Sequence, residues 1–210
     1  MILDGALVTV QLTFFGCILA LVAAFVAGLG RLSQFFIFRA LATIYIEFFR
    51  GTSVFVQLFW AYFVLPLMGV PVSPWQAGVI ALGLNVGAYG AEVVRGALQS
   101  VDRGQIEAGI ALNLTKWQQF RHVSLPQAFV VMLPTFNNNA IELLKGTAIV
   151  SLISLSDLTF QAQLVRVQTG NTTIPFISIL IMYFIISTVM SKSIRALENR
   201  LSAGIYVNRR

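Results

Sequence analysis

Hydrophobic and polar positions fall into long blocks along this chain, neither the strict alternation of a half-buried strand nor the three-to-four spacing of a surface helix. A helix needs about 20 apolar residues to cross a bilayer, and uncharged runs of that order lie between Asp4 and Arg31, over residues 123–141 and over residues 167–191. Between Arg50 and Glu92 stand 41 uncharged residues, too many for one crossing and interrupted by Pro66, Pro71 and Pro74, which favour a turn. That block predicts two spans, residues 47–68 and 75–95, and brings the expected total to five transmembrane helices with no strand. The stretch GTAIVSLISLS, 11 residues between Lys145 and Asp157, would reach only about 16 Å as a helix. It predicts a re-entrant or helix-extending segment buried against protein, because irregular backbone at membrane depth is tolerated only there or beside a water-filled cavity.

Composition agrees with a lipid solvent. The chain is 57% hydrophobic and 10% charged, with a mean hydropathy of +0.82, outside what a soluble domain of this size keeps on its surface. A net charge of +6 on so few charged groups reads as basic excess on cytoplasmic loops, not as a nucleic-acid surface. The single cysteine, Cys17, excludes an intramolecular disulfide and a cysteine metal cluster and reads as a packing residue. The N-terminus, MILDGALVTV, carries Asp4 where a signal peptide has basic residues, so it reads as a retained first span.

Short loops rich in Lys and Arg stay in the cytoplasm. With the N-terminus outside and the C-terminus cytoplasmic, five spans place Arg31, Arg39, Arg50, Arg95, Arg103, Lys116, Arg121, Lys192, Arg195, Arg200, Arg209 and Arg210 on one side, 12 of the 14 basic residues. The loop at about 102–126 is then cytoplasmic. Asp102 with Gln105, and Thr115 with Gln118, have the spacing of a helix-starting capping box. Between them Asn113 tolerates the left-handed conformation that ends a helix, and Pro126 permits a new helix to begin. The loop therefore predicts two short helices joined at Asn113. A compact connection is one reading of such a pair. Its apolar members Ile106, Ile110, Leu114, Trp117 and Phe120 argue instead for a surface covered by a partner.

These residues resemble a known pattern. Glu107-Ala108, Leu112-Asn113, nine residues and Val123-Ser124-Leu125-Pro126 are similar to the EAA loop of ABC importer permeases: Glu-Ala-Ala, a Gly four residues on, nine residues, then Ile-x-Leu-Pro. Gly109 departs from the second Ala and Asn113 from the Gly. The second departure is conservative, since both residues accept the left-handed turn; the first costs a helix about 1 kcal/mol relative to Ala, in return for closer approach to a partner. FFRGTSVFVQLFWAYFVLP, LNVGAYGAEVVRGALQSV and LLKGTAIVSLISLSDLTFQAQ extend the likeness over roughly residues 40–165, toward the branch that takes up polar amino acids such as histidine, glutamine or arginine.

The resemblance implies a type I ABC importer (MetI-like) permease fold forming a single membrane domain over residues 1–210. It further implies a multi-pass protein of the bacterial inner membrane, half of a pathway completed by a second permease, identical or homologous. A cytoplasmic ABC ATPase homodimer would grip Glu107, Ala108, Gly109, Leu112, Asn113, Val123, Leu125 and Pro126, and a solute-binding protein would deliver a small polar solute outside. The chain has no Gly-x-x-x-x-Gly-Lys-Ser/Thr phosphate loop; Lys145-Gly146-Thr147 has the wrong order. ATP and Mg thus belong to the partner subunit, and no cofactor to this chain.

Polar groups inside spans are default pathway candidates. Asn138, Asn139 and Glu142 fall late in the fourth span, with Asn139 and Glu142 three residues apart on one helical face; either they grip an amino acid or they form a hydrogen-bonded knot, with Lys145 neutralising Glu142. Asn85 stands beside Gly83, Gly87 and Ala91, a small-residue ridge suited to helix packing. Glu92 and Arg95 read as a pair near the cytoplasmic end of the third span. His122 alone makes no zinc site, and no nucleophile and base at suggestive spacing indicate catalysis. The sequon Asn171-Thr172-Thr173 carries no meaning in a bacterial importer. A stand-alone secondary transporter or channel, and a membrane-embedded enzyme, are the rival classes.

Overall fold

The computed structural model describes residues 1–202, so Arg209 and Arg210 lie outside the described residues. Within them regular structure is helical throughout: α1 (Ile2–Arg31), α2 (Phe36–Gly51), α3 (Val54–Phe59), a π-helical turn (Trp60–Val64), α4 (Leu65–Leu67), α5 (Pro74–Gln99), α6 (Arg103–Ala111), α7 (Lys116–Gln119), a second π-helical turn (Phe120–Ser124), α8 (Leu125–Gly146), a 3-10 helix (Thr147–Ile153), α9 (Leu158–Thr169) and α10 (Thr173–Ser202). Three helices, α1, α5 and α10, are long and apolar enough to cross a membrane. Two bent pairs bring the number to five if each is one span: α2 with α3–α4, bent by 106°, and the run from Lys116 to Ile153 with α9, bent by 50°.

The centre is α1 against α5, running parallel in their most extensive packing. Small residues let the backbones close. A Cβ on Gly87 would stand 2.8 Å from the Ala23 Cβ and 3.1 Å from the Ala20 carbonyl oxygen, and one on Gly28 would stand 2.7 Å from the Val94 Cβ. The ridge of Gly83, Gly87 and Ala91 is therefore a packing surface, fitted to Gly16, Ala20, Ala23 and Ala27 of α1. With no hydrophobic drive between helices in lipid, such close van der Waals approach is a main source of association.

Three expectations need correction. The span placed at 47–68 is not one straight helix: α2 ends at Gly51, the chain bends at Thr52 and Ser53, and α3 starts afresh. The last span starts at Thr173, not 167, because Gly170 at φ +66° closes α9 and Asn171 Oδ1 accepts from the backbone N–H of Thr173 (3.0 Å) and Ile174 (3.2 Å) to open α10. Pro126 does not begin a separate helix. A proline lacks its N–H and its ring collides with the carbonyl four residues back. Both here and at Pro66 a π-helical turn ending two residues earlier widens the helix, and the helix passes through.

Within residues 146–156, Thr147–Ile153 extend α8 as a 3-10 helix, with Thr147, Val150, Ser151 and Ile153 buried, until Ser154 at φ +61° turns the chain. The helix-extending alternative is the observed one. The next residue pair is a polar junction: buried Asp157 caps α9 by accepting from the N–H of Thr159 (3.1 Å) and Phe160 (2.9 Å), while Leu158 N–H donates to Thr9 Oγ1 of α1 (3.1 Å).

Candidate functional site

The loop at 102–126 folds as two capped helices. Asp102 Oδ1 accepts from the Gly104 N–H at 2.6 Å, but Gln105 does not reach back to complete a box; its Oε1 faces Gln127 Nε2 at 3.5 Å. Thr115 and Gln118 do form the reciprocal box, with Thr115 N–H donating to Gln118 Oε1 (2.9 Å) and Gln118 N–H to Thr115 Oγ1 (3.3 Å). Asn113 takes φ +56°. Leu114 N–H then donates to Gly109 O (3.0 Å) and Asn113 N–H to Ile110 O (2.9 Å), the paired bonds of a Schellman stop.

Gly109 is buried between the two helices, where an added Cβ would stand 3.0 Å from Gln119 Nε2. Gln119 donates to the Ile106 carbonyl. The close approach that glycine permits here is thus to the second helix of the loop itself. Glu107 and Ala108 are exposed, and the Glu107 carboxylate has no partner among the described residues. On the same two short helices and the turns that follow them, Ile110 is 63%, Leu112 75% and Trp117 65% exposed, and Trp117 stacks on Phe120. Ile106, Leu114 and Phe120 are half-buried, so the apolar surface is smaller than the sequence suggests, yet real. Val123 and Leu125 are half-buried and Pro126 exposed, at the foot of α8. His122 lies on the exposed loop surface, its Nδ1 3.0 Å from Gln118 O.

The intramembrane candidates separate. Asn138 and Glu142 are exposed on α8 at the four-residue spacing that stacks side chains on one face. Asn139 points elsewhere, into an apolar cavity of about 700 Å³ among α1, α5, α8 and α10, lined by Cys17, Gly90, Phe136 and Ile186 among others. The shared face expected of Asn139 and Glu142 is therefore not observed, since three residues turn a helix about 60° short of a full circle. Glu142 and Lys145 form no ion pair among the described residues. Among the described residues three side-chain amide atoms are buried without a partner, Asn137 Oδ1, Asn139 Nδ2 and Gln161 Oε1 of α9, while Asn137 Nδ2 donates to Ser191 Oγ of α10 at 3.2 Å.

Asn85 belongs to a joint. Its Nδ2 donates to Phe49 O (2.9 Å) and to Gln57 Oε1 (3.1 Å), and Gln57 Nε2 donates to Phe49 O (3.0 Å) and Thr52 Oγ1 (2.7 Å). These bonds fix the bend between α2 and α3 to α5. Gln57 is the residue sequence reasoning passed over; its signal was a lone amide in the apolar run VFVQLFW. Glu92 does pair with Arg95 (Oε2 to Nη2, 2.8 Å) and also with Arg31.

Comparison with known proteins accords with this architecture. Residues 16–203 match the family described as binding-protein-dependent transport system inner membrane component. The chain is 45% identical over 204 residues to a probable amino-acid ABC transporter permease protein, y4tF, of Sinorhizobium fredii, covering 94% of this chain and 86% of that one. It is 34% identical over 203 residues to the glutamine transport system permease protein GlnP of Escherichia coli, covering 96% and 93%. Among solved structures, a chain of an amino acid ABC transporter crystallised with histidines superposes with a TM-score of 0.87 at 36% identity, over 95% of this chain and 93% of that one. A chain of the inward-facing MetNI methionine ABC transporter, 22% identical, shares the fold with a TM-score of 0.74 over 95% of both. The chain belongs to the binding-protein-dependent transport system inner membrane component family: it is an ABC importer permease subunit with the type I, MetI-like fold, a transport component and not an enzyme.

Proposed function

We propose that this permease takes up a polar amino acid as half of a two-permease pathway, driven by a cytoplasmic ABC ATPase homodimer that docks on the loop at 102–126. The observation that carries the reading is the unpartnered Glu107 carboxylate set among exposed Ile110, Leu112 and Trp117 on two capped helices. Exposed apolar side chains with an unpartnered carboxylate on the same pair of short helices suit burial in a partner's groove. The partner supplies ATP and Mg, and a solute-binding protein delivers the solute on the opposite side. The N-terminus lies outside and the C-terminus in the cytoplasm, in keeping with the basic residues gathered at the loop end of the bundle. The amino-acid assignment follows the named relatives and the exposed polar face of α8, Asn138 and Glu142.

Reconstitution in vesicles with a cytoplasmic ABC ATPase and a solute-binding protein of an amino acid importer tests the reading. Amino acid uptake should require ATP and the binding protein, and ATP hydrolysis should rise with solute; uptake without any ATPase would make the chain a stand-alone transporter. Within that system Glu142→Gln should weaken uptake of a cationic amino acid severalfold, because one carboxylate facing an ammonium or guanidinium is a large part of a small site. Unchanged uptake across basic, acidic and amide amino acids would assign Glu142 to packing between subunits.

A further inference from the structure

At the end of the bundle that carries the loop, α1, α2 and α5 enclose an open cleft of about 580 Å³ holding three guanidinium groups, Arg31, Arg39 and Arg95. Phe36, Arg39, Thr43 and Ile44 come from one face of α2, spaced as a helical stripe. The carboxylates that face the cleft's cations are Glu92, bonded to Arg31 and Arg95, and Glu47, whose Oε1 is 3.8 Å from Arg31. Arg95 also donates to Gln99 Oε1 at 2.7 Å. Arg39 is exposed and has no counter-charge among the described residues. Three cations against two carboxylates leave one positive charge in surplus, with open space beside it.

The surroundings identify what occupies that space. Arg39 sits within FFIFRAL, in which Phe35, Phe36, Ile37 and Phe38 are 70%, 73%, 69% and 58% exposed. Four large apolar side chains so exposed belong among acyl chains, which places Arg39 at the depth where acyl chain meets headgroup. Leu32, Phe36 and Ile44 line the same cleft as the arginines. A soluble anion would satisfy the charge and leave that apolar wall wet. A molecule with a phosphate at one end and hydrocarbon at the other satisfies both.

We infer that this cleft binds an anionic phospholipid, its phosphodiester on Arg39 with Arg31 and Arg95 behind, and its acyl chains along Phe36 and Ile44. Arginine suits the role through its planar donor fork and weak hydration, and basic pockets between transmembrane helices are known lipid headgroup sites. The inference needs only that the chain spans a membrane, and it stands apart from ATPase docking and amino acid choice.

The full chain, with the subunits that accompany it, is reconstituted in nanodiscs of equal parts phosphatidylethanolamine and phosphatidylglycerol, and retained lipid is read by native mass spectrometry after mild release. Wild type should keep phosphatidylglycerol in preference to phosphatidylethanolamine. Arg39→Gln should lower that preference roughly fivefold, and Arg39→Lys should preserve most of it. Because Arg39 is exposed and unpartnered, the glutamine variant should fold. Equal retention of phosphatidylglycerol by wild type and Arg39→Gln overturns the inference, as does displacement of the bound lipid by soluble glycerol 3-phosphate, which would make the cleft a site for a free phosphate.

Discussion

Gly87→Leu is expected to leave almost no folded permease: purified in mild detergent, the variant should lose its monodisperse elution peak, while Gly87→Ala should elute normally and melt earlier. The cause is geometric. The first added carbon already falls 2.8 Å from the Ala23 Cβ, 3.0 Å from the Tyr45 hydroxyl and 3.1 Å from the Ala20 backbone oxygen, so even alanine asks α1 to shift by some tenths of an ångström. Leucine adds three further carbons where α1, α2 and α5 meet, and overpacking of this kind costs about 3 kcal/mol or more. The Tyr45 hydroxyl donates to Leu84 O at 2.7 Å, so the leucine would also break a bond that holds α2 on α5. A Gly87→Leu protein that elutes and melts like wild type would refute the tight α1–α5 seam.

Glu107→Lys is expected to cut ATP-driven uptake by at least roughly tenfold, since reversing the charge on the surface proposed for ATPase docking opposes association strongly. The variant should still insert and elute as wild type, because Glu107 is exposed and bonded to nothing among the described residues. Co-purification of the ATPase subunit separates the causes. Loss of the ATPase together with uptake supports docking through this patch, whereas normal uptake by Glu107→Lys refutes it.

Much of the architecture is legible in the blocks of apolar residues, because a bilayer imposes length and sign rules that a soluble core does not. Part of the loop is equally readable: Asn113 ends a helix and the Thr115–Gln118 pair starts one for reasons contained in a few neighbouring residues, whereas the Asp102–Gln105 spacing does not close a box because Gln105 turns to Gln127. What escaped reading depends on contacts distant in sequence. The bend at Thr52 and Ser53 is held by Asn85, 36 residues from its acceptor Phe49, and no local spacing reveals that bond. Pro66 and Pro126 were ambiguous in another way, since a proline marks either a boundary or a π-helical accommodation and only the surrounding packing decides. In the candidate site, spacing placed Asn139 with Glu142, yet Asn139 faces the apolar cavity and Asn138 shares the exposed face with Glu142. A three-residue and a four-residue step are both helical neighbours; which way the helix is turned depends on α1 and α5.

The helix that threads Pro126 without stopping has a mechanical meaning. From Lys116 to Gly146 the backbone stays helical over roughly 45 Å, through the π-helical turn and past Pro134 inside α8, beginning in the loop and continuing into the 3-10 helix. Were the run to tilt as one body by about 10° at the loop, its far end would sweep through about 8 Å, so under the docking proposed above a short displacement of the loop would become a longer one beyond the turn at Phe120–Ser124.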